Sequence, residues 1–286
     1  MGVLIMYYLE YLSGNYQAGE FVGELSSYIP LAALIVAFSA GIIATLSFLF
    51  KRKAVVTVDV VLRKALASVL FIITAVCALI PNFMPVLRLE QLDLYSSQAV
   101  PVVMRGAFAS ALFVIVGLCF GMLGDIWLDL KYAHKEGEKR YLNAGFLSFL
   151  IGHLFYSLFM FIYYKPKFGW LAFLGGAVVV ACFTAFTEDI LKVKYGESKK
   201  ITVTYMAVLG GTLSLAGDCM IESGFTYMSI IFFAGMVFFI ASDALLAGIY
   251  FGNDEKARTS RLSIVLNHTL YYIGQYLIAA SLFFAI

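Results

Sequence analysis

The run Gly106–Leu128, GAFASALFVIVGLCFGMLGDIWL, contains a single charged residue, Asp125. A helix of about 20 apolar residues spans the roughly 30 Å hydrocarbon core of a bilayer. The whole chain is 62% hydrophobic and 13% charged, whereas soluble domains are roughly half apolar and a quarter charged. Unbroken apolar runs favour helices over the alternating strands of a membrane barrel. The sequence therefore predicts an all-α membrane protein.

Seven further runs of similar character are bounded by charged or polar residues. In chain order, the eight predicted helices are Tyr28–Phe50, Arg63–Ile80, Gly106–Leu128, Tyr141–Tyr163, Trp170–Thr187, Ile201–Asp218, Thr226–Phe251 and Ser263–Ile286. We expect one transmembrane domain over residues 28–286, after an external N-terminal segment over residues 1–27. The apolar stretch Val3–Leu12 in that segment is too short to span. It lies along the membrane interface, covers the outer mouth of the bundle or forms a loosely ordered tail.

Lys and Arg are unevenly divided between the two sets of loops. Of the 20 Lys and Arg residues, all but Arg88, Arg105, Lys165 and Lys167 lie in or beside the loops after the first, third, fifth and seventh helices. Short cytoplasmic loops are enriched in Lys and Arg. We therefore predict that these odd-numbered loops are cytoplasmic and that both termini lie outside. The sequence does not distinguish a bacterial inner membrane from an endoplasmic reticulum membrane.

Polar side chains at membrane depth are concentrated in the predicted inner half. An ionisable side chain there costs roughly 2.5 to 3.5 kcal/mol on insertion scales, so each is expected to have a partner or a function. The residues are Lys64, Asp125, His153, Tyr156, Tyr205, Asp243, Asn267, His268, Tyr271, Tyr272 and Gln275. The last five form a stripe at three-and-four spacing on the eighth helix. Their depth predicts a pocket open toward the cytoplasmic leaflet, in which Asp125 and Asp243 share one cavity.

Small residues indicate how Asp125 reaches that pocket. Gly117, Gly121 and Gly124 give the third helix a small face, and small residues allow membrane helices to approach closely. Gly145 and Gly152 do the same on the fourth helix. We expect close helix packing to carry the Asp125 carboxyl group inward.

Two buried carboxyl groups fit acid catalysis, because burial disfavours their charged forms and one can then remain protonated as a general acid. The structural alternative is a pair of helix-to-helix hydrogen bonds. Metal catalysis is less favoured, because only His153 and His268 are buried and no HExxH spacing occurs. We expect no metal and no cofactor. The run Gly121–Asp125 resembles the GxGD motif of intramembrane aspartyl proteases only superficially, since Met122 occupies a motif glycine and no Pro-Ala-Leu follows.

Four segments together carry a resemblance to a known family. They are Gly117–Leu128 (GLCFGMLGDIWL), Gly145–Tyr156 (GFLSFLIGHLFY), Gly235–Ala247 (GMVFFIASDALLA) and Tyr271–Ala280 (YYIGQYLIAA). In their order, spacing and positions on the third, fourth, seventh and eighth helices, the chain resembles the YhhN-like lysoplasmalogenases, which are eight-helix membrane proteins. The family often has Pro after the Lys of the second helix, where this chain has Ala65.

The resemblance implies hydrolysis of the vinyl ether bond of lysoplasmalogens, which yields a fatty aldehyde and glycerophosphocholine or glycerophosphoethanolamine. The two motif aspartates of the family fall at Asp125 and Asp243, one as general acid and the other as a carboxylate that stabilises the cation; the sequence leaves their assignment open. The residues expected to bind substrate or support the acids are Lys64, which would meet the lipid phosphate, and His153, Tyr156, Tyr205, Asn267, His268, Tyr271, Tyr272 and Gln275.

The expected partners are a lysophospholipid substrate and membrane lipid. The net charge of +2 predicts no nucleic-acid partner, because no dense basic face is available for phosphates. The sequence leaves open whether the chain forms a homodimer. The competing functional class is a transporter or receptor that uses the buried Asp and His residues to bind protons or a ligand. The lack of an evident inverted repeat argues against a secondary transporter.

Overall fold

The computed structural model describes residues 18–52, 56–91, 102–133, 137–186, 188–254 and 259–285. Within these residues the chain forms eight long helices and no β-strand. The helices are α1 (Ala18–Lys51), α2 (Val58–Gln91), α3 (Val102–Ala133), α4 (Glu138–Tyr163), α5 (Gly169–Phe186), α6 (Lys199–Glu222), α7 (Tyr227–Phe251) and α8 (Arg261–Ser281). The prediction of eight helices is confirmed. The apolar stretch Val3–Leu12 lies outside the described residues.

Three helices extend well beyond their predicted ends. Helix α2 spans Val58–Gln91 rather than Arg63–Ile80. Helix α1 begins at Ala18 rather than Tyr28, so it continues into the segment predicted to precede the domain. Helix α3 ends at Ala133 rather than Leu128. Loss of hydrophobicity ends a membrane span but does not end a helix, because Ala, Glu and Lys are good helix formers in water too. The extension of α3 brings Asp129 and Lys131 into the helix.

Seven of the helices are long and apolar enough to cross a membrane: α1 to α7, with spans at Ile29–Lys51, Val58–Ile80, Ala109–Tyr132, Glu138–Tyr163, Gly169–Phe186, Gly196–Glu222 and Tyr227–Phe251. Helix α8 is less apolar because it carries the polar stripe, but its 21 residues are long enough to cross about 30 Å. The chain is therefore an integral membrane protein.

Consecutive helices pack in pairs, α1 with α2, α3 with α4, α5 with α6, and α7 with α8. Helix α8 additionally contacts α1, α2 and α3, so the least apolar helix is among the most enclosed. Helix α5 packs mainly on α6 and leaves half of its residues exposed, including Leu171 and Val179. In a membrane these apolar side chains face lipid, whereas the polar stripe of α8 faces protein.

Charged residues from several helix ends meet on one face of the bundle. Arg52, directly after α1, lies within 3.5 Å of Asp129 on α3 and within 3.4 Å of His268 on α8. The Lys131 ammonium on α3 lies 3.2 Å from the centre of the Tyr250 ring on α7. The final turns of α1, α3 and α7 therefore lie on the same side as the first turns of α8, as an up-and-down bundle requires. That this side is cytoplasmic remains a prediction from the distribution of Lys and Arg.

The contact between α3 and α4 depends on glycine. A Cβ atom added at Gly152 would lie 2.9 Å from the Gly117 carbonyl oxygen, whereas one added at Gly175 on α5 would meet nothing within 4 Å. We expect Gly152→Ala to destabilise the fold by about 1 to 3 kcal/mol, since the backbones must move apart. Gly175→Ala should not destabilise it, because the added methyl group meets open space and Ala favours a helix more than Gly does. Thermal unfolding of the two detergent-solubilised variants measures the difference; equal melting temperatures would contradict this packing.

Candidate functional site

Asp125 lies at the centre of a polar network within the membrane span. Its carboxyl group is 2% exposed. One oxygen accepts hydrogen bonds from Ser68 Oγ at 2.6 Å and from the Tyr271 hydroxyl at 2.8 Å. The other lies 3.2 Å from Lys64 Nζ. Three helices, α2, α3 and α8, thus supply partners to one buried carboxylate, and the adjacent ammonium compensates its charge.

A second acidic residue, Asp129, follows Asp125 by about one turn of α3 and is fully buried. Its Oδ1 lies 3.6 Å from Lys64 Nζ and 3.5 Å from Arg52 Nη2. The Lys64 ammonium is therefore shared by two carboxylates. Arg52 Nε also approaches His268 Nε2 at 3.4 Å. These contacts form a buried ionic cluster, which we define as Arg52, Lys64, Asp125 and Asp129.

The network continues from Asp125 toward α4 through side chains of α8. Gln275 Nε2 donates to the Tyr271 hydroxyl at 3.0 Å, and the Tyr156 hydroxyl donates to Gln275 Oε1 at 3.1 Å. Glycines of α3 leave space for these hydrogen-bonded side chains. A Cβ atom at Gly121 would lie 2.6 Å from Gln275 Nε2, and one at Gly117 would overlap the Tyr156 ring. The small face of α3 therefore accommodates polar side chains from two neighbouring helices, which refines its predicted role in helix packing.

Two further tyrosines of α8 reach across to the backbone of α2. The Tyr272 hydroxyl donates to the Lys64 carbonyl at 3.1 Å and lies 3.3 Å from Ser68 Oγ. The Tyr276 hydroxyl donates to the Ala67 carbonyl at 3.1 Å. Ser68 also donates to Asp125, so the Ser68 hydroxyl lies between the Tyr272 hydroxyl and that carboxyl group.

Asp243 on α7 has a different environment. It is 6% exposed and accepts a short hydrogen bond from the Tyr205 hydroxyl on α6. It borders a cavity of about 30 Å³, which is enough for one or two water molecules. The lining residues are Phe146, Tyr195, Thr202, Tyr205, Met206, Asp243, Leu246, Ala247 and Phe251. Thr202 Oγ1 is buried there without a hydrogen-bond partner among the described residues, so a water molecule in the cavity would satisfy it.

The buried His153 side chain lies between the residues around Asp125 and those around Asp243. Within the described residues it makes no hydrogen bond to either carboxyl group. Its ring stands edge-on to Phe239, with centroids 4.6 Å apart, and lies 5.5 Å from the Tyr156 ring and 6.1 Å from the Tyr205 ring. Its Nδ1 atom has no hydrogen-bond partner among the described residues. His153 therefore has one ring nitrogen available to a ligand.

The two remaining predicted residues link helices. Asn267 Nδ2 donates to the Ser242 carbonyl at 2.7 Å and to Ser242 Oγ at 3.0 Å, which ties α8 to α7 next to Asp243. His268 faces the ionic cluster through Arg52 and packs edge-on against Phe48 at 5.1 Å. Their positions make both of them supports for the helices that carry the aspartates.

The similar depth of Asp125 and Asp243 predicted that they share one cavity. The structure does not show this. Asp125 is absent from the lining of the cavity beside Asp243. The tyrosine partners of the two carboxyl groups are separated by aromatic packing: the Phe149 ring lies 5.9 Å from the Tyr271 ring and 6.3 Å from the Tyr205 ring. Similar depth did not bring the carboxyl groups together because α3 and α7 present them to different neighbours, α2 and α8 in one case and α6 in the other.

Sequence reasoning missed four polar residues of these networks. Asp129 directly follows Leu128, where the predicted third helix ends, and Arg52 lies in the loop predicted after the first helix. Ser68 and Thr202 are single hydroxyls on apolar helices. The spacing of four residues between Asp125 and Asp129 was the one available signal, since it places both carboxyl groups on the same helix face.

A short segment covers the Asp243 cavity on the face of the bundle that is rich in Lys and Arg. Glu188 begins a one-turn helix, Glu188–Leu191, and accepts hydrogen bonds from the Tyr195 backbone amide at 3.0 Å and from Lys199 Nζ at 2.5 Å. An isolated β-bridge between Val193 and Gly252 holds the segment against the end of α7. The buried Tyr195 side chain lines the cavity. Glu188 thus fixes the residue that covers the cavity.

Among the residues that the structure describes, no group of three or more His, Cys, Asp or Glu side chains is arranged to hold a metal ion. The described donors near the site are instead hydroxyl, ammonium and guanidinium groups, which bind carboxylate, phosphate or hydroxyl oxygens.

The fold and site define a polytopic helical membrane protein with a buried ionic and hydroxyl network. The model of the YhhN family matches residues 64–282, which is most of the chain and includes both aspartates. The chain belongs to the YhhN family, which includes lysoplasmalogenases. No curated protein matches the chain, and no solved structure does.

The ionic cluster generates a stability prediction. Lys64→Met leaves Asp125 without its ammonium partner and Asp129 with one cation fewer, and removing one partner of a buried pair typically costs about 3 to 5 kcal/mol. The neighbouring Arg63 pairs with Asp59 on an exposed face, and solvent-screened pairs of this kind contribute little to stability. Chemical denaturation of Lys64→Met and Arg63→Met in detergent compares the two. Equal losses would show that the cluster does not stabilise the bundle.

The segment that covers the Asp243 cavity should respond to pH. The Lys199 ammonium and the Tyr195 amide hold the pKa of Glu188 below its ordinary value of 4.5. The stabilisation by this carboxylate is therefore fully present above pH 4.5 and lost as the pH falls through the lower, folded-state pKa. We expect hydrogen exchange of residues 192–199, corrected for intrinsic rates, to rise several-fold below that pKa.

Glu188→Gln should show the higher exchange already at neutral pH and little further change on acidification. Corrected exchange in the parent protein that stays constant from neutral pH to well below pH 4.5 would rule out this role of Glu188.

Proposed function

We propose that this protein is a lysoplasmalogenase, a hydrolase that cleaves the vinyl ether bond of lysoplasmalogens to give a fatty aldehyde and glycerophosphocholine or glycerophosphoethanolamine. The observation that carries the proposal is the pair of buried carboxyl groups in a YhhN chain, Asp125 with a cation at 3.2 Å and Asp243 with a hydroxyl partner. Unlike environments of two carboxyl groups are typical of acid and base partners in catalysis.

The environments support an assignment of roles. Asp125 is the carboxylate, since Lys64, Ser68 and Tyr271 all stabilise its negative charge. Asp243 is the general acid, since no ion pair with it occurs among the described residues, and burying a carboxyl group without a counter-charge favours its neutral form. The cavity beside Asp243 supplies the site for the water that the reaction consumes.

The chemistry then proceeds in three steps. Asp243 protonates the vinyl carbon that is not bonded to oxygen, which leaves an oxocarbenium ion that the Asp125 carboxylate stabilises. Water adds to the cationic carbon and gives its proton to the Asp243 carboxylate, which restores the acid. The hemiacetal so formed collapses to the aldehyde and the glycerol hydroxyl. Paired carboxyl groups perform equivalent roles in glycoside hydrolysis.

One vinyl ether can meet both carboxyl groups only if the aromatic side chains between them move. Phe149 and Phe239 both contact the Tyr271 ring, with centroids 5.9 and 5.4 Å away. In this proposal the substrate takes the place of part of this packing. His153, which adjoins Phe239 and has an unpartnered Nδ1, then meets the glycerol hydroxyl or the water.

The aldehyde-release assay tests the proposal directly. Purified protein receives an alkenyl lysophospholipid or its acyl counterpart, and the aldehyde and fatty acid released are measured. We expect aldehyde from the alkenyl lipid, with activity lowered at least about 100-fold in Asp125→Asn and in Asp243→Asn, since each removes an acid or base. Asp218→Asn, a change on α6 outside both networks, serves as the control and should retain activity.

Full activity in both the Asp125→Asn and Asp243→Asn variants would discard the catalytic pair. Loss of activity in only one of the two variants would show that only the carboxyl group changed in that variant takes part in the reaction. Release of fatty acid from the acyl lipid without aldehyde from the alkenyl lipid would replace the proposed activity with ester hydrolysis.

A further inference from the structure

A lipid-facing groove runs between α1 and α8. Its walls are apolar apart from the hydroxyls of two Thr and two Tyr, and its volume is about 240 Å³. Helix α1 contributes Phe38, Ile42, Thr45, Leu46 and Leu49, and helix α8 contributes Thr269, Tyr272, Ile273, Tyr276 and Leu277. Both sets follow three-and-four spacing, so each is one continuous helix face. Leu46 is 59% exposed and Ile42 is 43% exposed, so the groove opens to the surrounding lipid.

The dimensions of this α1/α8 groove match one leaflet of a bilayer. Phe38 and Leu49 are eleven residues apart on α1, which is roughly 16 Å along a helix axis. Half of a hydrocarbon core is about 15 Å. Leu49 lies next to the end of α1 at Lys51, so the groove extends from the Lys- and Arg-rich face of the bundle to about the middle of the membrane. A hydrocarbon chain of the leaflet on that side would lie along it.

The end of the groove at the membrane surface is cationic. Arg261, the first residue of α8, donates from Nη2 to the Phe50 carbonyl on α1 at 3.4 Å, which places its guanidinium across the end of the groove. Lys51 is exposed at the same end of α1. Exposed cations at this level attract lipid phosphate. An apolar slot with a cationic end complements a phospholipid with a single chain.

The floor of the groove leads to the ionic cluster. The ring of Tyr272 lines the groove, and its hydroxyl lies 3.3 Å from Ser68 Oγ, which donates to Asp125 at 2.6 Å. Tyr276 forms the next part of the floor, and Gly41 on α1 makes space for it, because a Cβ atom there would overlap the Tyr276 hydroxyl. One tyrosine side chain therefore separates the lipid-facing groove from the hydrogen-bond network of Asp125.

We propose that the α1/α8 groove binds the hydrocarbon chain of a single-chain phospholipid and that the lipid enters sideways from the leaflet on the Lys- and Arg-rich side. Binding of the chain is independent of any reaction. Its consequence for catalysis rests on the proposed function: the groove delivers the linkage next to the glycerol toward Asp125, past Tyr272.

Photolabelling tests the groove without requiring turnover. The probe is an alkyl ether lysophospholipid with a diazirine in its chain, which the proposed reaction does not cleave. In lipid nanodiscs we expect mapped labels on Ile42, Leu46 and Ile273, removed by excess unlabelled probe lipid. Labels equally strong on the exposed α5 residues Leu171 and Val179, and insensitive to competition, would overturn the proposal.

A matched pair of variants gives the second measurement. Leu46→Trp fills the groove, whereas Ile43→Trp adds the same side chain on the same helix at a residue that is 68% exposed and does not line the groove. We expect Leu46→Trp to reduce labelling of Ile273 at least several-fold and Ile43→Trp to leave it unchanged. Equal labelling in the two variants would contradict the groove.

The two proposals fail separately. If excess unlabelled lipid removes the labels on the groove residues but alkenyl lipid yields no aldehyde, the groove proposal stands and the lysoplasmalogenase proposal is rejected. Aldehyde release that Leu46→Trp leaves unchanged in KM and kcat, together with labels outside the groove, would keep the enzyme and reject the groove.

Discussion

Compensation of buried charge is the constraint on which the rest of the structure depends. Lys64 lies between Asp125 and Asp129, and Arg52 completes the cluster, all with side chains no more than 4% exposed. Lipid cannot solvate any of these groups, so each charge must find its partner within the protein. The chain just after α1, together with α2 and α3, is held in one relative position by this requirement. Helix α8 packs against this cluster and contributes hydroxyl groups rather than charged groups.

The polar character of α8 explains why it is so enclosed. Its tyrosines and Gln275 reach α2, α3 and α4, and Asn267 reaches α7. A helix with this stripe would be costly at the lipid boundary, whereas in contact with four helices its polar groups are satisfied. Glycine on α3 completes the arrangement, because Gly121 leaves the volume that Gln275 occupies. At this interface the small residues of α3 therefore allow the polar side chains of α8 to reach their hydrogen-bond partners.

The two aspartates differ in what surrounds them. Asp125 belongs to a network with several donors, and Asp243 borders a small cavity covered by the segment that Glu188 holds in place. Phe149, Phe239 and His153 occupy the region between the two tyrosine partners. If one substrate meets both carboxyl groups, the energetic cost of moving these rings is part of its binding. The α1/α8 groove lies on the Asp125 side, so in the proposed mechanism the lipid would enter on one side and water would bind on the other, beside Asp243.

The sequence by itself determined the membrane class, the eight helices, the position of each polar residue along its helix and the stripe on α8, because hydrophobicity and helical periodicity are properties of consecutive residues. It also identified Lys64, Tyr156, Tyr271, Tyr272 and Gln275, which the structure does bring together around Asp125. Only the tertiary structure decided which carboxyl group meets which partner. Depth and helix face fix a side chain along and around its own helix, but the neighbour it meets depends on how the other helices are arranged. Asp243 is apart from Asp125 for that reason, and Asp129 belongs to the cluster because α3 continues past the end of its apolar run.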